Sequence, residues 1–195
     1  MANQASPRGL RVAGPLLEAR WFEVPASYAT ALFIGDPVIA TGTSNQVTAV
    51  TVGTAAANAS IGPVIGVYDA NKVPGIQAST GERLNYKPAS TAAYVLVATH
   101  PRQLFIAQGD GDSSYLDKDD CGGNVPMVAS TAGSTLSGQS AWKLDDSATA
   151  GSATDLIRLV RPVDRPDNTV GIAYCDWYCF INNHQLSNGT LGAGI

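Results

Sequence analysis

The sequence predicts a mainly β protein with a single antiparallel β-barrel or sandwich domain. Short apolar runs are separated by clusters of Gly, Pro, Asn and Asp, which is typical of strands joined by turns. No helical period is sustained over more than about three turns. We expect an extended N-terminal arm over residues 1–35, the β core over residues 36–165, and an aromatic strand with a flexible glycine-rich tail over residues 166–195.

The N-terminal segment predicts an arm because proline and glycine recur too often for a long helix. Only residues 16–21 leave room for a short one. The segment is nevertheless apolar, and an apolar arm is expected to lie on its own domain or on a neighbouring molecule.

The strand-like runs of the core and tail are residues 38–40, 46–52, 64–68, 92–98, 104–107, 125–129, 141–144, 156–163 and 171–181. Two of them break the alternation expected of a strand. In residues 46–52 the apolar positions change phase, which predicts a β-bulge. In residues 156–163 Arg158 and Arg161 stand three apart. The last run is the most aromatic stretch of the chain and predicts a strand buried on at least one side.

Composition favours a folded protein with a weakly charged surface. Charged residues make up 14% of the 195 residues, against roughly 25% in an average soluble domain. The net charge of −4 argues against a nucleic-acid partner. No apolar run has the length of a signal peptide or of a membrane span, so we expect synthesis in a cytoplasm and no membrane partner. Three cysteines fit a reducing compartment.

Cys175, Cys179 and His184 are the first candidate metal ligands. On a strand the two cysteines would be about 13 Å apart, too far to share a metal ion or a disulfide. We therefore interpret both as small apolar residues on one face of the aromatic strand, and we expect no metal there.

An acidic loop over residues 110–120 is the second candidate. It opens like a calcium-binding EF-hand loop, but Tyr115 and Cys121 stand where that motif needs Gly and Glu. Two interpretations remain open for it, a weak Ca²⁺ site and a solvated acidic loop.

No residue pattern predicts catalysis. His100 and His184 have no nucleophile elbow beside them, and the sequence has no phosphate-binding or dinucleotide-binding motif. We expect a protein that is not an enzyme and that carries no cofactor.

Three segments resemble structural proteins of tailed bacteriophages: residues 28–38 (YATALFIGDPV), residues 93–108 and residues 175–185 (CDWYCFINNHQ). The resemblance spans residues 8–186 and is to capsid decoration, or cement, proteins. It implies a non-catalytic virion protein on the capsid surface that bridges major capsid subunits. It also implies self-association, with a trimer favoured over a dimer.

For such a protein the apolar arm and the aromatic tail are the expected capsid or inter-subunit contacts. They comprise Leu10, Val12, Leu16, Trp21, Phe22, Trp177, Tyr178 and Phe180. For the tail aromatics the sequence favours the alternative that they cover the protein's own domain. A receptor-binding or glycan-binding module of a phage tail or spike is the rival function.

Overall fold

The computed structural model describes residues 3–42, 45–49, 59–78, 81–112, 114–147 and 153–187, and it confirms a mainly β protein built from antiparallel sheets. The strands are β1 (Arg11–Val12), β2 (Ala19–Val24), β3 (Pro37–Ala40), β4 (Val47–Ala49), β5 (Gly62–Tyr68), β6 (Ile76–Gln77), β7 (Arg83–Leu84), β8 (Ala93–Ala98), β9 (Phe105–Gln108), β10 (Asn124–Val125), β11 (Met127–Val128), β12 (Lys143–Leu144), β13 (Ile157–Pro162) and β14 (Asp176–Ile181). A 3-10 turn occupies Lys118–Asp120. Among the described residues, no helix has the length and apolarity needed to cross a bilayer.

The strands form two five-stranded sheets and two short ribbons. Sheet one has the order β1-β9-β14-β13-β10, and sheet two has the order β2-β8-β5-β3-β4. The ribbons pair β6 with β7 and β11 with β12. Over the described residues neither large sheet closes into a complete barrel, so of the two predicted architectures the β-sandwich fits.

Sheet two curls until its two edge strands approach each other. The backbone amide of Glu23 in β2 donates to the carbonyl of Asn45, just before β4, at 2.9 Å. The Asn45 side chain donates to the Trp21 carbonyl at 2.7 Å. Asn45 has a φ of 60°, a left-handed conformation that asparagine tolerates better than most residues. This contact links the edges without a continuous ladder of hydrogen bonds.

Two hydrophobic cores result from this arrangement. Core one lies against sheet one and is centred on the buried side chains of Phe105, Leu159 and Trp177. Core two is enclosed by the curl of sheet two and includes Phe22, Val38 and Val95. The alternating inner positions of the strands fill both cores, as the period of two requires.

Two β-bulges interrupt the pairing of long strands. In β13 the register passes from Leu159 opposite Cys179 to Arg161 opposite Tyr178, so Val160 is the extra residue. In β5 the extra residue is Ile65, which packs against core one although its strand belongs to sheet two. The bulge predicted for residues 46–52 depends on residues 50–52, which lie outside the described residues.

The predicted arm contributes strands to both sheets. β1 pairs with β9 in sheet one, and β2 pairs with β8 in sheet two. The short helix considered for residues 16–21 is wrong, because residues 19–21 are the start of β2. Ahead of β1, the amide of Ser6 donates to Oε1 of Gln108 at 2.7 Å.

The aromatic run near the C-terminus is confirmed as a strand buried on one side. Trp177, Cys179 and Ile181 of β14 are buried, and the residues between them are half-buried. Beyond the strand, the Gln185 side chain accepts from the Ala40 amide at 2.8 Å and donates to the Ala40 carbonyl at 3.3 Å. The end of β14 is thereby joined to β3 of the other sheet. The predicted tail beyond Ser187 lies outside the described residues.

Asn168 provides a test of how the loop before β14 is held. Its amide donates to the carbonyls of Val163 and Asp176 at 2.8 and 2.9 Å and accepts from the Asp176 amide at 2.7 Å. Replacing Asn168 with Ala removes these three hydrogen bonds, although the Asp176 carbonyl still accepts from the Val163 amide at 2.9 Å, and should lower the free energy of unfolding by about 2–4 kcal/mol. Urea denaturation measures the change. Asn71→Ala, in an exposed turn, is the control and should change stability by less than about 0.5 kcal/mol.

Candidate functional site

The outer face of sheet one carries a row of aromatic, aliphatic and arginine side chains. Across the sheet, Arg11 of β1 lies opposite Ile106 of β9, Ile106 lies opposite Tyr178 of β14, and Tyr178 lies opposite Arg161 of β13. We call the set of Arg11, Ile106, Arg158, Arg161, Tyr178 and Phe180 the arginine–aromatic face. Its three arginines are exposed, and its apolar members are half-buried.

The bulge at Val160 creates this face. Without the extra residue, Arg158 and Arg161 would point to opposite sides of the sheet, because successive side chains alternate. The bulge places Arg161 on the same face of the sheet as Arg158. Arg158 lies opposite Phe180 of β14. The irregular spacing of the two arginines in the sequence is therefore explained by the backbone.

Two contacts orient the arginines. The guanidinium carbon of Arg161 lies 4.6 Å from the centroid of the Tyr178 ring, a cation–π arrangement. The Nε of Arg158 donates to Oδ1 of Asn124 at 3.1 Å. Held in this way, both guanidinium groups keep donors available toward solvent, where they can bind carboxylates of a partner.

The structure places only some of the predicted contact residues on accessible surface. Tyr178 and Phe180 lie on the arginine–aromatic face. Leu10, Phe22 and Trp177 are buried in the two cores, where they pack against their own domain. For Trp177 this agrees with the alternative favoured by the sequence.

Val12 and Leu16 border a cleft between the two sheets. The cleft has a volume of about 270 Å³ and is also lined by Ile34 and Ile65. Leu16 and its neighbour Leu17 are 46% and 51% exposed. This crossover between β1 and β2 is the most apolar exposed part of the predicted arm.

Trp21 lies on the outer side of sheet two, away from the other predicted contacts. Its ring meets that of Tyr68 edge to face, with centroids 4.4 Å apart. The ammonium of Lys72 lies 5.7 Å from the centroid of the Trp21 ring and 4.9 Å from that of Tyr94. The aromatic cluster therefore has a cation over it.

A second constellation is formed by acidic residues at the ends of β9 and β12. One ligand oxygen each from Asp110, Asp112 and Asp145 lies within 4.8 Å of the others, and among the described residues this is the one such grouping of His, Cys, Asp and Glu side chains. Backbone hydrogen bonds hold the two segments together: the Asp110 amide donates to the Leu144 carbonyl at 2.9 Å.

Asp146 completes this cluster from the interior. It is 2% exposed, and its Oδ2 accepts from the Gly111 amide at 2.9 Å. Its other oxygen, Oδ1, is buried and has no hydrogen-bond donor among the described residues. Burial, together with the smaller effect of the neighbouring carboxyl groups of Asp110 and Asp112, raises the pKa of Asp146 to about 8.

The rest of the acidic loop does not join the cluster. Asp117 and Asp120 form a reciprocal capping box around the 3-10 turn, in which the Asp117 side chain accepts backbone amides and the Asp120 carboxylate accepts from the Asp117 amide at 2.7 Å. In the loop predicted as a candidate Ca²⁺ site, therefore, only Asp110 and Asp112 lie close to carboxylates of another segment. Their partners, Asp145 and Asp146, come from a different segment.

The cysteine just before β14 and the one within it belong to core one. Cys175 and Cys179 are buried and carry free thiols, and the thiol of Cys121 is exposed. Burial raises the pKa of Cys175 to about 11 and raises that of Cys179 as well, so both remain protonated. Both therefore occupy the apolar positions predicted for them.

Sequence reasoning missed the functional partners that come from other segments. Arg11, Ile106, Arg158 and Arg161 were not singled out as contacts, nor were Asp145 and Asp146 as ligands. The sequence contains one signal, the spacing of Arg158 and Arg161. The spacing alone did not reveal the β-bulge that places both arginines on one face.

A scan of protein-family models finds no family that matches this chain, and a search of curated proteins finds no significant relative. The function is therefore argued from the geometry and from the resemblance of the three sequence segments.

His184 makes the stability of the junction between the sheets depend on pH. Burial, together with the smaller effect of the nearby His100, lowers its pKa from 6.5 to about 4. Below pH 6.5 the unfolded chain binds a proton that the folded protein does not, so stability falls as the pH falls from 6.5 toward 4. The contribution of His184 should shrink by about 2 kcal/mol between pH 7.5 and pH 5.

Comparison with His184→Asn isolates this contribution in urea denaturation at the two pH values. The asparagine retains an acceptor for the Leu186 amide, which donates to Nδ1 of His184 at 3.0 Å. The comparison is needed because burial raises the pKa of Asp36 to about 6, which gives the opposite slope between pH 4 and pH 6. The variant His100→Asn removes only the smaller cause of the lowered His184 pKa and should keep most of the pH dependence of stability. Equal pH dependence in His184→Asn and wild type would contradict the assignment.

Proposed function

We propose that this protein is a structural component of a tailed-phage virion, a decoration protein that docks on the outer surface of the capsid through the arginine–aromatic face of sheet one. The observation that carries the proposal is the row of half-buried Tyr178, Phe180 and Ile106 among three exposed arginines. Tyrosine, phenylalanine and arginine are enriched at protein–protein interfaces and dominate their binding energy. The identity of the partner as the major capsid protein comes from the resemblance of the sequence.

The chemistry of this face indicates which groups its partner must present. The apolar side chains need an apolar patch, and Arg11, Arg158 and Arg161 need carboxylates around it. An acidic rim on a capsid subunit would supply these. Because the protein as a whole carries few charges, docking desolvates few ions outside this face.

The mode of action follows from repetition over the shell. Each copy bridges subunits with a modest interface, and many copies together resist the separation of subunits under the pressure of the packaged genome. We propose that the free protein self-associates, with a trimer favoured and a dimer as the alternative, and that its place is the virion surface. Sedimentation of the purified protein distinguishes these states.

The second candidate function is a receptor-binding or glycan-binding module of a tail or spike. It is favoured by the cluster of Trp21, Tyr68 and Tyr94 on the outer side of sheet two, since aromatic rings combine apolar contact area with polar groups. Lys72 lies over two of these rings and competes for the surface a sugar would use. Arg161 lies over the Tyr178 ring in a similar way, but a stacked guanidinium is itself a favoured contact at protein–protein interfaces, so we rank capsid docking first.

Co-sedimentation with purified capsids that lack the protein tests the proposal. Tyr178→Ala and Arg161→Glu should each weaken binding by about tenfold or more, because each removes a central contact worth at least about 1.4 kcal/mol. Tyr115→Ala and Arg102→Glu replace exposed residues of the same types elsewhere on the surface and should bind like wild type.

Thermal unfolding of each variant shows whether a loss of binding comes from loss of fold. Arg161 is exposed, so its variant keeps the core intact. Failure of the wild-type protein to bind capsids, together with binding to bacterial surfaces that Trp21→Ala abolishes, would favour the tail or spike module instead.

A further inference from the structure

We propose that Asp110, Asp112, Asp145 and Asp146 form a Ca²⁺-binding site that fastens the end of β9 to the end of β12. The site is independent of the docking face. It combines the first two aspartates of one loop with two consecutive aspartates of another, so the EF-hand motif does not describe it.

The distances fit a shared cation. Ca²⁺ binds oxygen atoms at about 2.3–2.6 Å, so two oxygens on one ion are separated by no more than about 5 Å. Oxygens of Asp110, Asp112 and Asp145 lie within 4.8 Å of one another. Carboxylates this close repel each other unless a cation or a proton lies between them.

Asp146 points independently to a ligand. Its side chain is almost fully buried, and among the described residues its Oδ1 has no hydrogen-bond donor. Its carboxyl lies within hydrogen-bonding reach of those of Asp110 and Asp112. A buried carboxylate oxygen normally has a donor or a cation, because an unpaired one has a large desolvation cost. None of the ion pairs among the described residues involves Asp110, Asp145 or Asp146.

The backbone prepares the site in the absence of the ion. The Asp146 amide donates to Oδ1 of Asp110 at 3.2 Å, and the Gly111 amide donates to Oδ2 of Asp146 at 2.9 Å. Gly111 has a φ of 75°, and a Cβ there would lie 2.6 Å from the ring of Tyr174. Glycine avoids both the strain of this φ and the clash, so the loop can pack against Tyr174.

A hard cation with flexible coordination suits these ligands. Ca²⁺ accepts six to eight oxygens, and water would complete the shell on the exposed side, where Asp112 lies. Mg²⁺ demands stricter octahedral geometry and gives up its water reluctantly, so we expect Ca²⁺ to be preferred.

Titration calorimetry of the full chain, stripped with EDTA and kept at constant ionic strength, tests the site. We expect one Ca²⁺ per chain with a Kd on the order of 10⁻⁴–10⁻³ M. At a Ca²⁺ concentration tenfold above this Kd, the thermal unfolding midpoint should rise by about 3–6 °C. MgCl₂ at the same ionic strength should raise it less.

The variants assign the effect to these residues. Asp110→Asn with Asp145→Asn should abolish both the heat and the rise in midpoint, and should make the calcium-free protein more stable by relieving repulsion. Asp119→Asn with Asp164→Asn makes the same change of charge at exposed positions and should respond like wild type. No heat from the wild type at 10 mM Ca²⁺, an equal response to Mg²⁺, or a full response in the first variant would overturn the proposal.

Discussion

The buried backbone of this protein needs hydrogen-bond partners that its short strands do not supply, and side-chain amides provide them. Several strands have only two residues, so much of the chain runs through connections whose amide and carbonyl groups would be unpaired in the interior. Gln103 illustrates the solution. Its side chain accepts from the Leu17 amide at 2.8 Å and donates to the carbonyls of Pro15 and Leu104 at 3.3 and 3.1 Å. The link between β1 and β2 is held to the sheet in this way.

The same device joins the parts of the molecule that the sheets leave separate. Gln185 connects the end of β14 to β3, and Asn45 connects the edges of sheet two. Lys87 plays an equivalent role with a charged group. It is fully buried, and its ammonium donates to the carbonyls of Tyr28 and Thr30 at 2.8 and 3.1 Å. Charge-assisted hydrogen bonds offset part of the cost of burying the lysine, and burial lowers its pKa to about 8.

Polar side chains hold much of the fold, and two groups of charged side chains gather at the proposed sites. The arginines of sheet one share a face with aromatic rings, and aspartates of two loops meet at the ends of β9 and β12. Both arrangements depend on the register of the chain. A bulge at Val160 decides which side Arg161 takes, and Gly111 decides how closely its loop approaches Tyr174. The proposed docking face and the proposed cation site therefore rest on local backbone details, and not on special residue types.

The sequence alone was sufficient for the fold class, for the aromatic strand β14 and for the burial of Cys175 and Cys179. These depend on local properties, namely β propensity, turn composition and an alternation with a period of two. For the apolar arm the sequence left two places open, the protein's own domain and a neighbouring molecule. It did not predict that β1 and β2 join different sheets, because alternation shows which side chains share a face but not which strand lies alongside.

Only the tertiary structure decided the two sites. Asp110 and Asp145 are far apart in the chain and meet because β9 and β12 end together. Arg158 and Arg161 reach one side of the sheet because one extra residue shifts the register. Pairing and register come from contacts between distant segments, which the order of residues along one segment does not encode.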